Sequence, residues 1–284
     1  MSIVHKRILI QKINHLPTLP SVITKIIELT ESRNANAKDL ADILSKDPSI
    51  ASTILKLVNS AFYGNLRHIS SIQHAAVILG FQMIKTIAMG VSIFETRGGS
   101  AQPFDRGQFW VHSIGTASLA KMLADRINAP SDLDREMVFL SGLLHDVGKV
   151  IFDNYFEEDY AKVAEILETE DVWIGKVEEQ VMGINHCEAG FYLARKWQFP
   201  MPVVEAIRFH HNLEKCSEKN LLLCALVNAA DHGCRRIKLG FSGDWTIPPL
   251  DPCLERLGIT PSIMDAALED LERMRESFES FVQE

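Results

Sequence analysis

His145-Asp146-Val147-Gly148-Lys149 follows an apolar run at helical spacing, Val138, Leu140, Leu143 and Leu144. An imidazole beside a carboxylate at a helix end can ligate a divalent cation through both groups, and the carboxylate can bridge two cations. Lys149 comes three residues after the carboxylate, near enough to meet an anionic phosphate. More groups of the same chemistry follow in order: His112 upstream, then His186, His210-His211 and Asp231. Singly, each has an ordinary reading. A histidine on an apolar helix is more often a hydrogen-bonded core residue, and His210-His211 reads equally well as a solvated helix end. Asp231 alone reads as a helix end or the partner of a nearby cation, and Lys149 alone as a surface charge. The joint order points to a metal site. A mononuclear site needs about four such ligands, and the full set suits two divalent ions bridged by Asp146. His5, His15, His68, His74 and His232 read as surface or hydrogen-bonded histidines. Cys187, beside His186, reads as packing, with ligation as the alternative.

The elements that must position these groups are helices. Helical periodicity dominates and strand-like alternation is scarce, so the fold class is all-α. His112 falls inside a predicted helix over 108–127, and His145 ends one over 133–145. His186 precedes 187–197, His210 and His211 end 203–210, and Asp231 lies within 220–234. In a helical bundle such segments can project ligands into a shared interior. Two more helices are expected over 160–168 and 174–181. Upstream, helices are expected over 22–29, 37–45, 48–58, 72–79 and 81–94, with a loop over 59–71. Asp47-Pro48 reads as an N-cap followed by proline at the first helical position.

Arg97-Gly98-Gly99-Ser100-Ala101-Gln102-Pro103 is the clearest break. It divides a two-part helical bundle into an N-terminal helical part (1–100) and a metal-binding part (101–239). A C-terminal extension (240–284) follows. It is irregular to 257, where Pro248-Pro249 and Pro252 exclude regular helix, and it closes with a helix over 261–282.

Composition sets outer bounds. The 284 residues are 46% apolar and 23% charged, ordinary for a globular chain. A net charge of −8 argues against a broad nucleic-acid face. No apolar stretch approaches the roughly 18–20 residues that span a bilayer, and no signal-peptide core follows the N-terminus. The five cysteines are odd in number and form no CxxC pair, so a disulfide framework is not expected. Together these read as a soluble, cytoplasmic protein.

Residues 105–235 resemble the HD superfamily of metal-dependent phosphohydrolases, nearest in pattern to the HD-GYP cyclic-dinucleotide phosphodiesterases. The resemblance implies His112, His145, Asp146, His186, His210, His211 and Asp231 as metal ligands and Lys149 as the motif lysine. After His210-His211 comes Asn212-Leu213-Glu214-Lys215, with no Gly-Tyr-Pro loop, so a cyclic-dinucleotide substrate does not transfer. Leu16-Pro17-Thr18-Leu19-Pro20, Asp47-Pro48, Val58-Asn59-Ser60-Ala61-Phe62-Tyr63-Gly64 and Leu79-Gly80-Phe81 resemble the HDOD domain, over about residues 10–235. That resemblance implies a bacterial signalling module, normally with a degenerate catalytic set, whereas here the ligand set is complete. No receiver, GGDEF, EAL or kinase segment is recognisable, so input is expected from a separate molecule. The metals implied are two divalent ions, iron first, with manganese and zinc chemically compatible. Three readings follow: a regulatory protein that binds a signalling partner or nucleotide ligand, a phosphohydrolase acting on a nucleotide or cyclic dinucleotide, or a structural scaffold without metal, which leaves the ordered ligand set unexplained. Oligomeric state is left open.

Overall fold

The computed structural model describes residues 6, 9–13, 21–31, 36–59, 69–94, 105–244, 246–247 and 249–279. His5, His15, His68 and the Ser60–Gly64 part of the Val58–Gly64 motif lie outside them. The described residues form helices and no strand: α1 Ser21–Glu31, α2 Ala37–Leu44, α3 Pro48–Val58, α4 Ile72–Leu79 and α5 Phe81–Phe94. There follow α6 Arg106–Arg126, α7 Arg135–Leu144, α8 Val147–Tyr155, α9 Glu157–Thr169 and α10 Ile174–Met182. Next come α11 His186–Lys196, α12 Met201–Phe209, a 3-10 turn at Leu213–Lys215 and α13 Leu221–Arg236. α14 Cys253–Arg256, α15 Pro261–Arg273 and α16 Arg275–Glu279 complete the order. The fold is all-α. None of the described helices is long and apolar enough to cross a membrane.

The chain forms two compact units, Pro17–Thr96 with Glu276–Glu284, and Met1–Leu16 with Arg97–Arg275. The break falls close to the Gly-Gly segment, but residues 1–16 and 240–275 group with the helices of the second part. Burial explains this grouping: Leu9 and Ile13 are enclosed, as are Met264, Ala267, Leu268 and Leu271 of α15, and α15 packs on α6 and α13.

In the smaller unit, Ile26, Leu40, Leu44, Ile54, Val58, Ile84 and Ile87 make the core. Asn36 caps α2 through Lys38 N and Asp39 N, with Asp39 returning the bond. Asp47 Oδ1 accepts from Ile50 N (3.3 Å), the cap expected of Asp47-Pro48. Asn59 closes the following loop: its amide donates to the carbonyls of Leu55 and Ile69, both at 2.8 Å, and its oxygen accepts from Ile69 N at 2.7 Å.

In the larger unit α6 is the axle. Nearly every residue from Phe109 to Ala124 is buried, because α7, α13 and α15 pack around it. Asp105 caps its start through Gln108 N at 3.0 Å, and Asp134 caps α7 through Glu136 N and Met137 N.

Three sequence expectations are corrected here, the first being the stretch to 257, expected irregular, which carries the one-turn helix α14 directly after Pro252. The segment after Asp146, given no element, is helix α8. It is anchored where Arg106 Nε donates to Asp153 Oδ2 at 2.8 Å. The closing helix stops at Arg273, where Met274 N turns back to Leu271 O at 3.0 Å, and α16 restarts beyond it.

Candidate metal centre

Helix ends deliver the site. His145 caps the C-terminus of α7, and Asp146 sits in the joint before α8. His186 opens α11 one residue after its cap, Asn185, whose side chain accepts from Glu188 N at 3.0 Å. His210 and His211 follow α12, while His112 and Asp231 lie within α6 and α13. Close crossing of α8 and α11 depends on Gly148, because a Cβ there would sit 1.9 Å from the His186 carbonyl oxygen.

Three of the imidazoles are oriented from behind. His145 Nδ1 donates to the Gly142 carbonyl at 2.7 Å, and His210 Nδ1 donates to those of Ala206 and Ile207 at 3.0 Å. His186 Nδ1 donates to Glu178 Oε2 at 2.6 Å, and its backbone N–H donates to the same oxygen at 2.7 Å. A carbonyl only accepts, so the Nδ1 of His145 and of His210 must carry a proton; in the neutral ring Nε2 is then a lone pair.

Those lone pairs converge on the carboxylates. Asp146 Oδ2 lies 3.3 Å from His145 Nε2, and Oδ1 lies 3.3 Å from His186 Nε2 and 3.6 Å from His210 Nε2. Asp231 Oδ1 lies 3.0 Å from His112 Nε2 and 3.7 Å from His145 Nε2, and Oδ2 lies 4.0 Å from His211 Nε2. Yet His112 Nε2, His145 Nε2, His186 Nε2, His211 Nε2 and Asp146 Oδ1 are buried without a hydrogen-bond partner. Such a concentration of orphaned donor atoms is costly unless a cation sits among them. The residues therefore fit divalent metal. They fall into two sets, His112, His145 and Asp146, and His186, Cys187, His210 and His211, each with ligand atoms within 4.8 Å of one another. All the histidines and aspartates named from the sequence are gathered here, and Cys187, read as packing, faces the second set.

Lys149 is fully buried. Its ammonium donates to Asp146 Oδ2 at 2.7 Å and to the Ser242 carbonyl at 2.8 Å, so it faces the Asp146 carboxylate rather than solvent. Sequence reasoning missed several supporting groups. Glu178 lies on another helix, with no spacing that links it to His186. Arg235 was legible as the i+4 neighbour of Asp231: its Nε donates to Asp231 Oδ1 at 2.9 Å, and its Nη1 pairs with Asp244. Asp244 Oδ2 in turn accepts from Ile174 N at 2.5 Å. Trp173 stands edge-on to His211 and His186, with ring centroids 5.1 and 6.0 Å away.

Burial pushes the Asp146 and Asp231 carboxyls towards neutrality, but neighbouring cations prevail. Lys149, then His145 and His186, hold Asp146 well below the usual range, and Arg235, then His112, do so for Asp231. Burial also works against the His145 imidazolium, yet Asp146 and Asp231 raise it to about 9. His112 and His211 are lowered, chiefly by burial. Burial raises the Cys187 thiol.

A cleft of about 350 Å³ reaches this cluster at His211 and Cys187, and Trp173, Arg208 and Lys215 are among its other walls. The Arg208 guanidinium carbon lies over the Phe191 ring, 3.9 Å from its centroid. Arg195 and Lys196 lie at the far end of α11, about 14 Å along its axis from His186.

Comparisons with known proteins agree with this architecture. The HDOD domain model matches residues 16–213. A solved HDOD domain protein of unknown function from Geobacter sulfurreducens is 26% identical, with a TM-score of 0.77 over 99% of this chain and 98% of that one. An uncharacterized protein of Treponema pallidum is 28% identical over 225 residues, 78% of this chain and 42% of its own length. Ribonuclease Y of Thermus thermophilus is 31% identical over 131 residues, 45% of this chain and 17% of that enzyme. The chain thus spans less than half the length of either curated relative. With the family model covering most of its residues and the fold shared end to end with a solved member, the chain belongs to the HDOD domain family.

Proposed function

We propose that this chain is a regulatory, signal-transducing HDOD protein whose larger unit holds two divalent metal ions. The observation that carries the reading is the set of buried, partnerless nitrogen and oxygen atoms of His112, His145, Asp146, His186 and His211. Asp146 would bridge, one oxygen facing His145 and the other facing His186 and His210. Glu178 and the α7 and α12 carbonyls fix the rings, while Lys149 and Arg235 keep the two aspartates ionised. Iron is the ion read from the family resemblance, with manganese and zinc suited to the same donors. The partner is a signalling protein or a nucleotide ligand, and the cytoplasm is the setting that five free thiols favour.

A second reading, hydrolysis of a phosphodiester or nucleotide, is favoured by the cleft that reaches His211 and by the likeness of 131 residues of the chain to ribonuclease Y. Metal ions would supply an activated water and offset charge on phosphate oxygens. Arg208, held on Phe191 in the cleft wall, is positioned to receive an anion.

The test is elemental analysis of protein purified without chelator, beside Asp146→Ala. About two equivalents of metal are expected for the native chain, falling below one in the variant. Equal stoichiometry in the two proteins, or no uptake of iron, manganese or zinc on reconstitution, overturns the proposal.

A further inference from the structure

The two donor sets of the centre differ in kind. One is nitrogen and oxygen: His112, His145 and Asp146. The other contains a sulfur: His186, Cys187, His210 and His211. Cys187 Sγ lies 3.9 Å from His210 Nε2, too far and too soft a contact to satisfy that nitrogen well. The side chain is 6% exposed, and it occupies the first turn of α11, an eleven-residue helix. Its neighbours in the set are imidazoles, and His186 Nε2 and His211 Nε2 are buried without partners. A buried thiol enclosed by such lone pairs has the surroundings of a ligand.

We propose that Cys187 is a thiolate ligand of the metal centre, so that its two positions are chemically unequal. This rests on the metal-centre reading above. On ligation a sulfur–metal bond forms, the S–H bond breaks, and its proton leaves to solvent; no oxidant or reductant takes part. Thiolate is a soft donor, so the position at His186, His210 and His211 would select zinc or cobalt over manganese, while the Asp146–His145 position would tolerate harder ions.

Cobalt(II) titration of metal-free protein tests this directly. Visible d–d bands should appear together with a near-ultraviolet sulfur-to-cobalt charge-transfer band. Cys187→Ser should lose the charge-transfer band and keep visible bands. In competition between zinc and manganese, the same variant should lose about tenfold or more of its preference for zinc. Visible bands with no sulfur band in the native protein would overturn the thiolate and leave the metal centre standing. A sulfur band that survives in Cys187→Ser would assign it to another cysteine, with the same consequence for Cys187. No cobalt bound at all would remove both readings. X-ray absorption at the zinc edge of the native chain needs no variant: a sulfur shell at about 2.3 Å supports the ligand, and a shell of only nitrogen and oxygen at about 2.0–2.1 Å overturns it.

Discussion

His145 shows how the metal-free cluster keeps itself together. Its imidazolium is stabilised by Asp146 and Asp231 against the cost of burial, to a pKa of about 9. In the absence of metal, a proton therefore does part of the work of a cation. The sign follows from the shift. A folded-state pKa above the unfolded value contributes stability in full below about 6.5, and that contribution is lost as pH rises through about 9. Metal must displace this proton, whereas His112 and His211 are lowered and have none to give. Between pH 6.5 and 9, affinity should rise by up to about tenfold per pH unit, with release of at least about one proton per chain. Calorimetric titration in buffers of different ionisation enthalpy counts that proton; uptake without release would contradict this picture. At this scale the sequence was highly legible. Every histidine and aspartate taken from motif order faces the cluster. Glu178 was not legible because its bond to His186 joins separate helices.

Among the helices, the decisive contact is the crossing of α8 with α11. The chain turns at Asp146, so α8 starts beside the first residue of α11, and only glycine at 148 leaves room for the His186 backbone. Gly148→Ala should push the two helix starts apart, at a cost of about 1–3 kcal/mol, and move Asp146 off His186. The expected outcome is a folded protein with sharply reduced metal content, measured by thermal melting beside elemental analysis; unchanged metal content would show that the crossing can relax. Hydrophobic spacing located most helices to within a residue or two. It missed α8 because the sequence there was read for its chemistry, and the apolar residues that bury it, Val150, Ile151 and Phe152, run consecutively without a polar face between them.

Across the larger unit, the segment after α13 matters more than its irregular sequence implied. Gly240 takes a φ of +68°, and a Cβ there would lie 2.3 Å from His112 N, so the chain turns directly against the His112 backbone. From that turn, Ser242 holds Lys149 through its carbonyl and Asp244 holds Arg235. A chain ended after residue 239 would match the expected domain limit, yet would leave both buried cations short of a partner and uncover α6 and α13 where α15 packs. Loss of a buried partner costs about 3–5 kcal/mol. The trimmed chain should therefore melt well below the full one and fail to retain metal; equal melting and metal content would show that 240–284 is dispensable to the site. Proline content marked this stretch as non-helical, but no periodic pattern could reveal which backbone carbonyl meets a lysine.

The buried groups also impose a constraint on occupancy. Apart from Asp153, which Arg106 neutralises, Asp146, Glu178, Asp231 and Asp244 outnumber Lys149 and Arg235 among the enclosed charges, leaving an excess of two negative charges if the imidazoles are neutral. A single divalent ion brings the interior to electroneutrality. A second ion overshoots it, and a Cys187 thiolate offsets only half of that surplus. The remainder calls for an anion, and the cleft at His211 and Arg208 is where one can enter. If two ions bind as proposed, filling of the second position and capture of an anionic ligand would be thermodynamically linked, each raising the affinity for the other. By that linkage the protein would report an anion only when metal is present, and would hold its full metal complement only when the anion is bound.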